Sequence, residues 1–443
     1  MTTSDIIFEI LAKIDNFFWS YIGFSIVCIS GVFLTIFSLG KQFRVLFSMR
    51  KIVKELLEES KDKTKAGLHP IKLLFASVGG MIGIGNIVGV GIAVMIGGPG
   101  SIFWMWVASF CGMLIKYSET YLGVKHRVPN GKGSYNGGPM YYLQDVFKSK
   151  FWAKLAAFLL CIYGVEVFQF VTLVDRFEHT FKIDRDIIVY SLLAATLYSA
   201  SGGINRLATI CSAIMPFFMG IYLIACSYII LSHYYALPSL FAEIGTSAFT
   251  GHAAIGGFAA STMIQTAYLG SSKAVYSGDI GIGYDSVVQS ETRVASPIKQ
   301  ARLSILALFM DTIICTLSSL TIAVTGAWYK LQHIEPSDVM STIFSDYFPF
   351  SEYFLTAVLF FAGFTTVIAF FTVGLKSANF LSEKYGKKIY FVLGTFAFIF
   401  FSHFSEEKVV IIMSLTSVFL VTLNIIAIIK MRNEIKFYED ESS

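Results

Sequence analysis

Residues 79–100 read GGMIGIGNIVGVGIAVMIGGPG. Nine of these 22 residues are glycine, one is asparagine, one is proline, and the rest are aliphatic or methionine. The segment is apolar enough to enter a bilayer, yet each interior glycine weakens a helix by about 1 kcal/mol relative to alanine. A membrane segment that resists being one helix belongs inside protein, where its backbone polar groups line a cavity. The stretch therefore predicts a broken membrane helix with a site at the break.

The rest of the chain places that segment in an integral membrane protein. Of 443 residues, 55% are hydrophobic and 14% charged, and mean hydropathy is +0.66. Soluble proteins carry about 25% charge. The 42 phenylalanines suit a lipid-facing surface, and a net charge of +4 is too small to indicate nucleic acid. Residues 1–16 hold one basic residue, Lys13, and the first apolar run lacks a small-residue cleavage site. It reads as a retained helix rather than a signal peptide. Cys28, Cys111, Cys161, Cys211, Cys226 and Cys315 all fall in apolar runs without CxxC or Cys/His spacing. They read as reduced packing residues.

With about 20 apolar residues per crossing, eleven spans are expected: 17–40, 71–97, 100–124, 152–178, 187–201, 208–232, 253–285, 300–327, 352–380, 388–403 and 408–430. Placing the N-terminus outside puts 28 of the 34 lysines and arginines on the inner side, which orients the chain N-out, C-in. Residues 41–65 are basic and amphipathic, either a helix along the cytoplasmic face or a solvated connector. The expected organisation is an N-terminal helix and connector (1–70), helices over 71–235 and 236–430, and a cytoplasmic tail (431–443).

Two bland readings of the glycine-rich span compete with a site. GIGNIVG (Gly83–Gly89) has the wrong spacing and setting for a dinucleotide fingerprint. Gly79/Gly83 and Gly85/Gly89 are each four apart, which suits close helix packing. Asn86 favours the site: a mid-membrane amide needs partners, and Gly83 and Gly85 allow the unwinding that frees carbonyls to meet it.

Several blocks identify a family. GIGNIVGV is followed by GGPGSIFWMWVASFCGMLIKYSE (Gly97–Glu119) and KHRV…GGPMYY (Lys125–Tyr142). Farther on come GGFAASTMIQ (Gly256–Gln265), PIKQARLSILALFMDTIICT (Pro297–Thr316) and TTVIAFFTVGLK (Thr365–Lys376). From about residue 65 the chain resembles the alanine/glycine:cation symporter family of amino-acid transporters. The resemblance implies an all-α fold of the leucine-transporter type. Two inverted five-helix repeats follow an extra N-terminal helix, and the first helix of each repeat is broken, with substrate and sodium near the midplane.

The same resemblance implies a sodium site formed by the carbonyls of Gly79 and Ile82, by Ala362, and by the hydroxyls of Thr365 and Thr366. Positions 362, 365 and 366 share one helical face; alternatively both threonines bond their own helix's carbonyls. For an amino-acid zwitterion, unwound backbone at Gly83 and Gly85 supplies donors and Asn86 bridges carboxylate and backbone. Thr262 and Gln265 match the family motif on the second broken helix. Gln169 aligns with a glutamine of the fourth span, and Phe370 stands where the family has tryptophan. Gln169 and Gln265 are otherwise interhelical glue. The lining departs from the family pattern: Ile84 and Ile92 replace threonines, Tyr268 an arginine, and Gly278-Asp279 an Asn-Glu pair. These changes point from an alanine- or glycine-like substrate toward a somewhat larger or more apolar neutral one.

Buried charge is costly and usually functional. Asp311 lies mid-span, and Glu166 lies in the fourth span outside the family pattern; either could carry a proton. Asp279 and Lys273 read as an inner gate, and Lys116 with Glu119 as a pair or a snorkelling lysine. The expected activity is sodium-coupled symport of a small neutral amino acid across a bacterial inner membrane. A proton-coupled carrier and a transport-inactive ligand sensor are the alternatives. No GxSxG, HExxH or Walker sequence points to an enzyme.

Overall fold

A computed structural model describes residues 3–59, 66–131, 133–251, 262–331, 334, 338–403 and 406–438. Nearly all of them are helical. The principal helices are α1 (Ile7–Phe37), α2 (Pro70–Met81), α3 (Val88–Gly97), α4 (Gly100–Lys125), α5 (Lys150–Tyr163), α6 (Val167–Phe181), α7 (Arg185–Ser201) and α8 (Gly203–Ser232). They continue as α9 (Leu237–Thr250), α10 (Met263–Ser277), α11 (Tyr284–Gln289), α12 (Pro297–Val324), α13 (Ser351–Leu381), α14 (Gly386–Phe401) and α15 (Glu406–Lys430).

Among the described residues, six helical segments are long and apolar enough to cross a membrane: Ile7–Phe37, Lys150–Phe181, Gly203–Ser232, Pro297–Val324, Ser351–Leu381 and Val410–Lys430. Pro70–Met81 with Ile84–Gly97, bent by 65°, makes a seventh. The other four expected segments also hold helices, namely α4, α7, α10 and α14.

Local signals explain the elements around the break. Pro70 occupies the first turn of α2 and His69 caps it, its Nδ1 accepting the Ile71 N–H at 3.2 Å. The helix ends at Ile82, whose backbone is extended (φ −80°, ψ 93°). Gly83 to Ile87 form a short 3-10 turn before α3 begins. Gly98, at φ 72°, turns the chain into α4. The inner layer is α2, α4, α12 and α13: α4 packs on α10 and α12, and α2 packs on α8, α12 and α13. In contrast, α1 lies at the periphery, with Ile29, Val32 and Ile36 exposed.

Two elements differ from the sequence expectation, and a third follows it. The first helix starts about ten residues before position 17, because Ile7, Ile10, Leu11 and Ile14 recur at helical spacing and extend the apolar stripe. The fourth span is interrupted between α5 and α6, where Glu166 adopts φ 51°. The segment 253–285 is expected to be a broken helix, and its described part is interrupted. Its residues 252–261, including the Gly256–Ser261 motif, lie outside the described residues. The helix that follows unwinds at 278–283, where Gly281 and Gly283 take positive φ and Asp279 takes φ 47°.

Candidate functional site

The two unwound segments meet. Four free N–H groups at the start of a helix need acceptors, and at the first break side chains supply them. Gly83 N–H donates to Asn86 Oδ1 at 3.0 Å, and Ile84 N–H to Gln169 Oε1 at 2.8 Å. A side chain at Gly83 would force its neighbours to shift. A Cβ would stand 2.8 Å from both Gln169 Nε2 and Thr366 Oγ1, closer than Cβ contacts come. Asn86 is fully buried. Its amide donates to Asp311 Oδ1 at 2.5 Å and to Cys315 Sγ at 3.2 Å, while Ser277 donates to Asp311 Oδ2 at 3.4 Å. Asp311 thus orients the asparagine that holds the break.

At the second break, Tyr163 donates to Asp279 Oδ1 at 3.3 Å and Lys116 Nζ donates to the Asp279 carbonyl at 3.3 Å. Lys116 also pairs with Asp285 at 3.1 Å and with Glu119 at 3.7 Å, and all three side chains are wholly buried. The snorkelling reading of Lys116 is therefore corrected: its ammonium is held by carboxylates inside the fold rather than at an interface.

Between the breaks lies a cavity of about 10 Å³, the room of a single water. Gly80, Met81, Gly85 and Asn86 line it from the first break, and Tyr276, Ser277 and Asp279 from the second. Tyr163, Glu166, Gln169, Thr366 and Phe370 complete it. Glu166 and Asp279 are each 2% exposed. One carboxylate oxygen of each, Glu166 Oε2 and Asp279 Oδ2, has no hydrogen-bond partner in the protein among the described residues. The Phe370 ring sits 5.1 Å from that of Tyr163 and 4.6 Å from that of Tyr284, whose hydroxyl donates to the Ala76 carbonyl. This aromatic layer separates the cavity from the Pro70 side.

Of the five expected sodium ligands, hydrogen bonds join Gly79, Ala362, Thr365 and Thr366. Thr366 Oγ1 donates to the Gly79 carbonyl at 3.2 Å and to that of Ala362 at 3.1 Å. Thr365 Oγ1 donates to Phe361 and Ala362 carbonyls at 2.8 and 2.9 Å. Ile82 follows where α2 ends. Both threonines thus make the intrahelical bonds that the packing alternative requires, and Thr366 adds a bond across to α2. Carbonyl and hydroxyl oxygens are the donor set a hard cation takes.

Gln169, Asn86, Gly83, Gly85, Phe370, Glu166 and Asp279 gather at or beside the cavity. Thr262 and Gln265 do not. Both are exposed at the start of α10, where Thr262 Oγ1 caps the Gln265 N–H at 3.2 Å, roughly 20 Å along the helix from Tyr276. Lys273 also parts from Asp279. It lies against Gly89 in a separate cavity of about 460 Å³ on the Gly97 side, which shares Gly85 and Tyr276 with the central one. On the Pro70 side a cleft of about 610 Å³ is lined by Glu291, Lys376 and Tyr141. Tyr163, Tyr276, Ser277 and Asp285 carry no individual sequence signal beyond Tyr276 preceding a glycine-rich break; distant packing places them.

Comparison with known proteins agrees with this architecture. Residues 4–440 match the sodium:alanine symporter family. The sodium/alanine symporter AgcS of Methanococcus maripaludis is 28% identical over 88% of this chain and 87% of its own. The probable sodium/glutamine symporter GlnT of Bacillus subtilis is 26% identical over 95% of this chain and 87% of its own. Among solved structures, a manganese transporter of Eremococcus coleocola aligns with a TM-score of 0.55 at 14% identity, over 84% of this chain and 82% of that one. That likeness bears on fold alone. The relatives are membrane transporters rather than enzymes.

Proposed function

The chain belongs to the sodium:alanine symporter family, and from that premise we propose that it carries a small neutral amino acid across the membrane with sodium. The carrying observation is the pair of side-chain amide oxygens, Asn86 Oδ1 and Gln169 Oε1, on the Gly83 and Ile84 N–H groups. An amide oxygen there occupies the place of a substrate carboxylate oxygen. A carboxylate displaces Gln169 and gains a stronger, charge-assisted bond, while the unpaired oxygens of Glu166 and Asp279 receive the ammonium.

Space for a substrate side chain opens as the cavity expands from its closed volume, with Phe370 as one wall. The cavities on the Gly97 and Pro70 sides serve as the two entrances of an alternating-access cycle. Sodium binds at Gly79, Ile82, Ala362, Thr365 and Thr366, replacing the threonine hydroxyl bonds. The protein spans a bacterial inner membrane eleven times, N-terminus outside, as an extra helix and two inverted repeats.

Reconstituted liposomes test this reading. Labelled amino acids, alanine, glycine and glutamine among them, should accumulate under an inward sodium gradient and not without it. Absence of gradient-driven uptake for all twenty amino acids would reject a carrier; binding without uptake would leave a sensor. Replacing Thr365 and Thr366 together by alanine should abolish sodium stimulation, and unchanged stimulation would reject that ion site.

A second reading rests on Glu166. Its free oxygen beside the cavity suits a transported proton, with Asp311 as a further carrier. If a proton gradient alone drives uptake and Glu166→Gln removes that response, the coupling ion is the proton.

A further inference from the structure

The cavity of about 460 Å³ on the Gly97 side is within the range of ligand pockets, about 300–1,000 Å³. The reading above gives it only the part of an entrance, and it shares Gly85 and Tyr276 with the central cavity. Its walls come from five parts of the chain: Asp15 and Trp19 of α1, Gly85, Gly89 and Ile92 of the broken span, Phe168 of α6, four residues of α10 that include Lys273 and Tyr276, and Val410, Ile411 and Ser414 of α15. Most of this lining is apolar or aromatic, and it carries one acid and one base on different helices.

Asp15 and Lys273 act on each other electrostatically, but they form no ion pair. In a low-dielectric setting, an acid and a base that can close on one another gain by doing so. Here both line the cavity instead. Asp15 faces Ser414, whose hydroxyl also accepts the Trp19 indole N–H at 2.8 Å, and Asp15 Oδ1 has no partner in the protein among the described residues. That network pins the carboxylate from behind. The Lys273 stem runs over Gly89, where even an added Cβ would stand 4.0 Å from Cδ, and its ammonium has no hydrogen bond or ion pair among the described residues. An occupant that satisfies both groups carries an anionic and a cationic centre, is neutral overall, and presents an apolar remainder to Ile92, Val410 and Ile411. Those are the properties of a neutral amino-acid zwitterion.

We propose that this cavity is a second amino-acid site, in which Lys273 holds the carboxylate and Asp15 the ammonium before the ligand passes Tyr276 into the central cavity. The inference rests on the amino-acid reading above and adds to it a role for the peripheral helix α1. Tyr276 and Gly85 line both cavities, so their movement connects the two sites.

Equilibrium binding to the purified full chain in nanodiscs tests it, with labelled alanine, glutamine and leucine each used as probe. Wild type should bind two equivalents per chain of at least one probe. Lys273→Gln and Asp15→Asn should each bind one, and Asn86→Asp, which alters the central site, should keep the other. The exchange Asp15→Lys with Lys273→Asp should regain the second equivalent, a gain that a misfolded variant cannot produce. A single equivalent in wild type, unchanged by Lys273→Gln, overturns the second site and leaves the amino-acid reading standing. Two equivalents persisting in Lys273→Gln overturn it as well. No binding of any probe overturns both.

Discussion

Lys116→Met is expected to destabilise the folded protein by about 3–5 kcal/mol, the loss seen when one partner of a buried ion pair is removed. The reason is arithmetic of charge in a place without water. Lys116, Glu119 and Asp285 are all wholly inaccessible, with the ammonium 3.1 Å from Asp285 and 3.7 Å from Glu119. The same ammonium donates to the Asp279 carbonyl at the second break. Removing it strands two carboxylates and frees an unwound backbone segment. Thermal unfolding in detergent checks this, with Lys154→Met as control, since Lys154 is exposed and surface changes cost little. The midpoint should fall far more for Lys116→Met, and adding Asp285→Asn should recover part of the loss. Equal midpoints for the two lysine variants would show that the cluster does not hold the break.

The second large effect is on transport. Asn86→Asp should reduce uptake by about 10- to 100-fold, because it breaks or repels a buried bond worth about 1–3 kcal/mol, and each 1.4 kcal/mol is a factor of ten. The new carboxylate would stand against Asp311, now 2.5 Å from the Asn86 amide. Adding Asp311→Asn reverses the pair. An aspartate at 86 still accepts the Gly83 N–H, and an asparagine at 311 donates to its other oxygen. The double variant should recover to within about tenfold of wild type. If Asp311→Asn gives no rescue, the carboxylate of Asp311 does more than orient Asn86, and the proton reading gains.

How much of this was legible in the sequence follows the range of each signal. The first break was legible because nine glycines and one asparagine in an apolar run are a local pattern, and its helix boundary at Ile82 follows. Thr365 and Thr366 stand out as hydroxyls in an apolar helix, and Thr366 meets Gly79. Thr262 and Gln265 match a conspicuous family motif on the second broken helix, yet they lie at the exposed start of α10, away from its break. The spacing of Gly278, Gly281 and Gly283 around Asp279 marks the segment that unwinds. Asp285 was missed as the partner of Lys116 because the two are 169 residues apart in the chain, and no periodicity joins them. Glu166 was singled out for its charge, but the left-handed backbone that turns it toward the cavity is a product of tertiary packing.

The account turns on the claim that the Gly83 and Ile84 amides receive the substrate's carboxylate. The most direct measurement is a structure of the protein with the amino acid taken up best in the liposome screen. The account predicts a carboxylate oxygen within hydrogen-bond distance of both amides and the Gln169 side chain withdrawn from Ile84. A ligand bound elsewhere, with the 2.8 Å bond between Ile84 and Gln169 intact, would contradict it.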